Sequence, residues 1–289
     1  MKNKVIFKVA SMFFVCFFFI VSCDSSVKGE KDYFARLQVI SEISNNGVGD
    51  IKRSLKLAEK LANDYPEKAE VYFFIIALKG MTFDLDKEIH NPTDEQKLHI
   101  KELIDSGEKG LNLFEKDDDI SLDTTTEYAI GYAGILSNFG QYKRSVALFN
   151  KYYDLDIYLT HESMKYAVIH YANALANIDK LGEANTLYVA SFNQNKNDIR
   201  LFRAFIKFQA DHDTEENSAS LALDYMKTYG VEEGIKYQLC QTYEQYKNFE
   251  KAVLCFQELI EFSKSNEVQS TYVKHAHDYI SRQETRGVN

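Results

Sequence analysis

No pair or cluster of reactive side chains in this sequence has the spacing of a known catalytic or metal-binding motif. His275 and His277 are two residues apart, so on a helix they would point roughly 200° apart and could not share a metal ion. The run Asp117-Asp118-Asp119 lacks the alternating acids, central glycine and distal glutamate of a calcium loop. Phosphate loops and the G-x-S-x-G, H-E-x-x-H and C-x-x-C patterns are also absent from the sequence. We therefore predict a protein that is not an enzyme and needs neither cofactor nor metal.

Cys23 is the residue whose surroundings most clearly predict a chemical modification. The first eight residues contain three lysines, and an apolar run of about 13 residues, 9–21, follows them. That run is too short for the ~20 residues of a membrane-spanning helix but suits a secretory signal peptide. It leads into Ile20-Val21-Ser22-Cys23, which resembles the lipobox of bacterial lipoproteins. The resemblance implies that residues 1–22 are cleaved as a signal peptide and that Cys23 is diacylated as the new N-terminus.

This signal predicts a location in the bacterial cell envelope, with the chain held to a membrane by lipid rather than by a spanning helix. Residues 23–32 then comprise the lipidated cysteine and a polar, flexible tether. Asp24 resembles the residue that retains some lipoproteins at the inner membrane, and we favour a domain that faces the periplasm without assigning the leaflet. The alternative is an ordinary signal peptide with an incidental cysteine. In either case Cys16 leaves with the cleaved peptide.

The charge of the chain argues against two classes of partner. The sequence carries 34 basic and 43 acidic residues, a net charge of −9. Because residues 1–22 hold three lysines and no acid, their loss leaves a net charge of −12. So acidic a body argues against binding nucleic acid and against docking flat on anionic lipid. The acyl chains must therefore hold the domain at the membrane.

The two remaining cysteines, Cys240 and Cys255, lie on the two predicted helices of one hairpin, in the stretch 234–263. An exported location permits a disulfide, which would staple that hairpin. Cysteine is also a small hydrophobe that is often buried without reacting. We interpret the pair first as packing residues and keep the disulfide as the alternative.

Composition and patterning predict an all-α fold. Only 2 prolines and 13 glycines occur in 289 residues, and this scarcity of breakers favours helix. Thr93 and Gln96 have the spacing of a capping box at the start of a helix. Apolar residues at helical spacing indicate the first four helices, at 33–44, 51–64, 67–81 and 94–115. An irregular segment, 82–92, separates the last two. Gly107 and Gly110 inside the fourth helix indicate close approach of a neighbouring helix.

A two-helix unit recurs along the chain and is clearest in residues 234–263. Each copy places a small residue early in its second helix. These small residues are spaced 39, 35 and 33 positions apart: Ser145, Ala184, Ala219 and Ala252. The unit resembles the tetratricopeptide repeat over roughly residues 33–263, although no copy has that family's tryptophan. The resemblance implies a right-handed superhelical solenoid of about five to six antiparallel helix pairs at 33–265, followed by a C-terminal capping helix and tail at 266–289.

The resemblance also implies a concave groove lined by the first helix of each pair. Each first helix also has a small residue where it crosses its partner. The lining residues should be the one directly after that small residue and those three to four positions to either side. These candidate partner-binding residues are Ile169, Asn173, Asn177, Phe208, Tyr237, Gln241, Glu244 and Gln245, with Ala176 and Asp211 beside them. Amides can pair with a peptide backbone, and tyrosine offers an apolar face with a polar tip. Ile169 and Tyr237 stand where some relatives carry a lysine that clamps a terminal carboxylate, so we do not expect an acidic C-terminal tail as ligand. The alternative is that these polar residues are only solvated.

The sequence therefore favours an envelope lipoprotein that acts as a scaffold or adaptor and binds an envelope protein or peptide in the groove. An accessory solute-binding protein of an envelope transporter is the second hypothesis, which a closed apolar pocket rimmed by tyrosine would favour. A third, a part in outer-membrane protein assembly, rests on family analogy alone. The identity of the partner and the oligomeric state stay open.

Overall fold

The computed structural model describes residues 28–44, 48–82, 92–118, 120–155, 159, 161, 164–265 and 270–285. Over these residues the chain forms thirteen α-helices and no β-strand, which confirms the predicted all-α class. No described helix is both long and apolar enough to cross a membrane. The predicted signal peptide, Cys23 and most of the irregular segment 82–92 lie outside the described residues.

The helices have the following bounds: α1 Lys28–Ser44, α2 Val48–Asp64, α3 Glu70–Thr82, α4 Asp94–Lys116, α5 Leu122–Asn138, α6 Tyr142–Tyr152, α7 Ala167–Ala176, α8 Leu181–Gln194, α9 Ile199–His212, α10 Glu215–Tyr229, α11 Glu233–Gln245, α12 Phe249–Ser265 and α13 Thr271–Thr285. α1 begins inside the predicted tether 23–32, five residues before the predicted start of the first helix.

The predicted start of α4 is confirmed in detail. The Gln96 backbone N–H donates to Thr93 Oγ1 over 3.2 Å, and the Thr93 N–H donates to Gln96 Oε1 over 2.7 Å, which completes the capping box. α2 stops at Asp64, just before Pro66, which cannot continue a helix. Residues 66 and 67 form a turn, so α3 begins three residues later than the sequence pattern indicates.

The chain divides into two compact units, Met1–Lys180 and Leu181–Asn289. In the first unit each helix from α1 to α7 packs on the next one, and α5 also packs on α3 and on α7. In the second unit α8 to α13 pack in the same sequential way, and α11 also contacts α9 and α13. A stack of antiparallel helix pairs requires these contacts between alternate helices. Each unit is therefore a helical repeat array.

Most residues of α3 are apolar, and other helices of the first unit pack around it. Residues 71–76 are all buried, and they contribute to two hydrophobic clusters of the first unit. A charged side chain of α3, Lys79, is also buried. Its Nζ lies 2.7 Å from a carboxylate oxygen of Glu102 on α4 and 3.4 Å from one of Glu59 on α2. A buried ammonium needs such partners, so Lys79 ties three helices together.

A serine hydroxyl marks the point where the two helices of a pair cross. Ser145 Oγ, on α6, donates to the Ala133 carbonyl oxygen on α5 over 2.7 Å. Ser218 Oγ, on α10, donates to the Ile206 carbonyl oxygen on α9 over 3.2 Å. Each bond joins residues 12 positions apart, and both serines are fully buried. The small side chain lets the helices approach, and the carbonyl oxygen satisfies the hydroxyl.

This bond corrects the repeat spacing predicted from the sequence. The residue at the crossing of α9 and α10 is Ser218, so the prediction of Ala219 is wrong by one position. Ala219 is buried beside it, and both residues are small, so the sequence pattern alone does not separate them. With Ser218 the spacings of the crossing residues become 39, 34 and 34, and the last three units share one period.

Gly107 and Gly110 are sites of close helix approach, as their positions in α4 indicate. A Cβ atom on Gly107 would overlap the ring of Tyr132 on α5, and one on Gly110 would overlap the hydroxyl end of Tyr128. The Tyr128 hydroxyl donates to the Gly107 carbonyl oxygen over 3.0 Å, and the Tyr132 hydroxyl donates to that of Ile104 over 3.1 Å. The two glycines thus let large aromatic side chains lie directly on the α4 backbone.

Cys240 and Cys255 form a disulfide between α11 and α12, with their Cα atoms 5.3 Å apart. The interpretation of this pair as packing residues alone is therefore wrong, although both cysteines are buried. Ala252, 12 positions beyond Cys240, occupies the crossing point of this pair and is fully buried. Cys255 follows one helical turn later on the same face, which brings it within reach of Cys240.

We expect Gly107→Ala to lower the free energy of unfolding by about 1–3 kcal/mol, because the added methyl group displaces Tyr132 from the α4 backbone. Gly182→Ala is the matched control: its Cβ would meet no atom within 4 Å. Alanine is favoured over glycine in a helix by about 0.5–1 kcal/mol, so this variant should be as stable as the parent or more so. Denaturant unfolding followed by circular dichroism measures both. Equal stability of Gly107→Ala and the parent would contradict the close contact of α4 with α5.

Candidate partner-binding face

The candidate residues of the first unit lie together along α7, with Asn177 as the C-cap directly after its last residue. Ile169, Asn173 and Asn177 are four positions apart and so form one stripe along this helix. Both asparagines are exposed, and Ile169 is partly buried. Asn173 Nδ2 donates to Ser137 Oγ on α5 over 3.3 Å, and Asn177 Nδ2 donates to the Asn173 carbonyl oxygen over 2.8 Å. The stripe is therefore an ordered polar surface.

Four candidate residues of the second unit lie on one side of α11. They are Tyr237, Gln241, Glu244 and Gln245. Gln245 is exposed and the other three are partly buried. Gln245 Nε2 donates to the Ala210 carbonyl oxygen over 2.9 Å and to Asp211 Oδ1 over 3.1 Å. These bonds place this side of α11 next to the last turn of α9.

Phe208 is not part of this surface. It is only 8% exposed, and its ring centroid lies 5.1 Å from that of Tyr188 on α8, in the core of the second unit. Its selection depends on Ala219 as the crossing residue. Ser218 on α10 donates to the carbonyl oxygen of Ile206, which is therefore the crossing point on α9. The residue after it is Lys207. One residue corresponds to about 100° of helix rotation, which turns a surface position inward, so the prediction of Phe208 is wrong.

The corrected register identifies two surface residues that the sequence prediction missed, Arg203 and Lys207. They correspond to Tyr237 and Gln241, 34 positions later in the next pair. The 34-residue period was the available signal, and it becomes visible once Ser218 replaces Ala219 as the crossing residue. We use the name α9–α13 face for the surface that contains Arg203, Lys207, Asp211, Tyr237, Gln241, Glu244, Gln245, Tyr272 and His275.

Stacked aromatic rings form the centre of the α9–α13 face. The ring centroids of Tyr237 on α11 and Tyr272 on α13 lie 4.5 Å apart. The Arg203 side chain reaches this pair from α9: its Nη1 donates to the Tyr272 hydroxyl, and its Cζ lies 5.0 Å from the Tyr272 ring centroid. His275 packs edge-on against Tyr237 with centroids 5.5 Å apart. Three helices thus hold the central side chains in fixed positions.

Charges of both signs surround this centre. Burial raises the pKa of the Tyr237 hydroxyl, the Glu244 carboxylate raises it further, and Arg203 opposes both effects. Tyr237 therefore stays protonated at neutral pH and can donate a hydrogen bond. Lys207 Nζ donates to Asp211 Oδ2 over 2.5 Å, so the charge of Lys207 is balanced within its own helix.

The side chains of the face suit recognition of a partner. Among the described residues, no three His, Cys, Asp or Glu side chains lie close enough together to hold a metal ion. Amides bind a peptide backbone, tyrosine rings bind apolar side chains, and a guanidinium binds carboxylates. The arrangement can therefore hold a peptide or a protein surface without any covalent step.

Fold and face together define a class of protein, the all-α helical repeat proteins built from antiparallel helix pairs. Neither a protein-family model nor a curated protein sequence matches this chain. Among solved structures, the chain is similar to pilF of Pseudomonas aeruginosa, with a TM-score of 0.52 and 9% sequence identity. That match covers 86% of this chain and 98% of pilF, and it confirms the predicted helical repeat fold.

Two weaker similarities concern proteins with tetratricopeptide repeats. YrrB, described as a TPR protein with an unusual peptide-binding site, matches with a TM-score of 0.39 and 15% identity, over 76% of this chain and 97% of its own. The TPR domain of P58(IPK) matches with a TM-score of 0.30 and 8% identity, over 89% of this chain and 99% of its own. The similarity to pilF, at 9% identity, shows the fold alone.

Two substitutions on α11 should distinguish a side chain that stabilises the fold from one that only lies on the surface. Tyr237→Ala should lower the free energy of unfolding by about 2 kcal/mol, because it removes the ring stacked on Tyr272. Gln241 makes no side-chain hydrogen bond to a described residue, so Gln241→Ala should change stability by less than about 0.5 kcal/mol. Denaturant unfolding of both variants checks this difference. A large loss for Gln241→Ala would mean that its side chain supports the fold.

Proposed function

We propose that this chain is a lipid-anchored bacterial envelope protein that binds a protein partner and acts as a scaffold or adaptor without catalytic turnover. The observation that carries the proposal is the α9–α13 face, where three adjacent helices present amides, tyrosines and an arginine side by side. A helical repeat array commonly uses the surface of its alternate helices to bind partners. The proposal rests on these side chains, because a fold alone does not determine a function.

The side chains in the centre of this face are already held in fixed positions, which favours binding. The rings of Tyr237 and Tyr272 are already stacked, so a partner that packs on them does not have to immobilise them. Gln241 makes no side-chain hydrogen bond to a described residue, so its amide is available to a peptide backbone. Fixed aromatic anchors beside available amides combine rigid contact area with directional bonding.

The proposed anchor rests on Cys23 and is supported by a second feature. Disulfides persist in oxidising compartments outside the cytosol, and the chain has one, between Cys240 and Cys255. A disulfide is expected in an exported domain, and this agrees with a signal peptide at residues 1–22 directly before Cys23. The acyl chains would hold the acidic domain at a membrane surface that its charge does not favour.

Site-specific photo-crosslinking in the bacterium tests the binding proposal. A photoreactive amino acid at position 241 of the full chain should trap an envelope protein, because Gln241 lies on the α9–α13 face. The same amino acid at position 227 should not, because Lys227 is an exposed residue of α10, the second helix of its pair. Mass spectrometry identifies the trapped protein. Equal trapping at both positions, or none at position 241, contradicts the proposal.

Metabolic labelling with palmitate tests the anchor. We expect the parent chain to incorporate label and Cys23→Ser to lose it, because the thiol of Cys23 is the proposed acceptor of the diacylglyceryl group. Cys16→Ser is the matched control, since Cys16 lies in the part of the chain that is removed and its loss should leave labelling intact. Labelled Cys23→Ser protein would show that the sequence is not a lipobox.

A further inference from the structure

α1 begins closer to Cys23 than the sequence indicates. Its first residue is Lys28, so five residue steps separate the proposed lipid attachment from the start of the helix. In any conformation, five residues span at most about 18 Å. α1 itself has 17 residues and is therefore about 25 Å long. The connection is shorter than the first helix, so the start of α1 must lie near any surface that holds Cys23.

A buried tyrosine fixes the start of α1 to the rest of the first unit. Tyr33 is fully buried, and its ring centroid lies 5.3 Å from that of Tyr65, which follows α2. Its hydroxyl donates to Glu70 Oε2 on α3 over 3.2 Å. Unwinding α1 past Tyr33 would expose this large side chain, so the connection cannot lengthen beyond it without loss of packing. We use the name α1–α2 end for residues 31–36 and 64–68, which include both rings.

Charged side chains of the α1–α2 end are paired with one another. Arg36 Nη2 lies 2.6 Å from Asp64 Oδ2, and Arg36 Nη1 lies 3.6 Å from Asp32 Oδ2. The Tyr65 hydroxyl donates to the same oxygen of Asp32 over 3.0 Å. Because these groups already have partners within the protein, contact with another polar surface does not leave them unpaired.

The α1–α2 end is also electrically neutral, unlike the chain as a whole. It holds three basic residues and three acidic ones: Lys31, Arg36, Lys68, Asp32, Asp64 and Glu67. The chain after residue 22 has a net charge of −12, so its excess of acids lies entirely outside this end. An anionic headgroup surface repels an acidic surface at short range but not a neutral one. The α1–α2 end is therefore suited to lie close to a membrane.

We infer that the α1–α2 end faces the lipid headgroups of the membrane that holds Cys23. This inference rests on the proposed lipid anchor and goes beyond it, because an anchor alone leaves the orientation of the domain open. The short connection keeps the start of α1 within about 18 Å of the lipidated residue. Five of the ten residues of the predicted tether 23–32 belong to α1, so a packed helix replaces half of that tether.

Fluorescence quenching by nitroxide-labelled headgroups tests this orientation on the full, lipidated chain. Vesicles of phosphatidylcholine and phosphatidylglycerol contain the quencher, and a fluorescent amino acid replaces one exposed residue at a time. We expect a loss of fluorescence at position 67, in the turn of the α1–α2 end. Position 52 is the matched control, where we expect little loss. Lys52 is also exposed, but it lies 12 residues before Asp64 on α2, about 18 Å along the helix.

A longer connection tests whether its length sets the orientation. Twenty glycine and serine residues inserted between Ser26 and Val27 add a flexible segment with an r.m.s. span of roughly 25 Å. We expect the insertion to remove most of the loss at position 67, because the α1–α2 end is then free to leave the headgroups. Circular dichroism checks that each variant is folded. Equal losses at positions 67 and 52 of the parent chain, or an unchanged loss at position 67 after the insertion, overturn the inference.

Sedimentation with the vesicles distinguishes failure of this inference from failure of the proposed anchor. If the parent chain sediments with the vesicles and Cys23→Ser does not, the anchor stands. Equal quenching at positions 67 and 52 then overturns the orientation alone. If the parent chain carries no lipid and does not sediment, both fall.

Discussion

The structure depends on the close crossing of paired helices at one small residue in each pair. Ser145 and Ser218 occupy that point, and each donates its hydroxyl proton to a carbonyl oxygen 12 positions earlier. A larger side chain would separate the helices, and a buried hydroxyl without an acceptor would cost free energy. The carbonyl oxygen keeps a lone pair beyond its own helical bond, so one serine meets both requirements. Size and hydrogen bonding together fix how the two helices lie against each other.

The same crossing sets the rotation of the first helix in each pair, and so determines which side chains reach the surface. On α9 the crossing at Ile206 directs Phe208 toward Tyr188 in the core and leaves Arg203 and Lys207 on the surface. A shift of one position would exchange core and surface residues, because one residue is about 100° of rotation. Which side chains of α9 belong to the α9–α13 face therefore depends on the hydrogen bond between Ser218 and Ile206, on the opposite side of α9.

Local signals in the sequence predicted the helices well, and long-range contacts explain where the prediction failed. Thr93 with Gln96 and the glycines of α4 are local patterns with one physical meaning each, and the structure confirms them. Ala219 and Ser218 are adjacent, small and both buried, so only the bond to Ile206 separates them. Likewise, the positions of Cys240 and Cys255 fit buried packing as well as a disulfide, and the distance between α11 and α12 decides. The contact of Arg203 with Tyr272 could not be predicted at all, because it joins side chains 69 positions apart on α9 and α13.

The last helix has a larger part than the capping role that the sequence indicates. Ala276 and Tyr279 of α13 are buried, and the Tyr279 ring packs on Phe256 of α12. Yet Tyr272, on the first turn of α13, also contacts Arg203 and stacks on Tyr237. Without α13, the guanidinium of Arg203 would lose its hydrogen bond to the Tyr272 hydroxyl and the ring beneath it. α13 therefore packs on the second unit and also completes the α9–α13 face, so that the packing of the unit and the fixed positions of the aromatic side chains depend on the same helix.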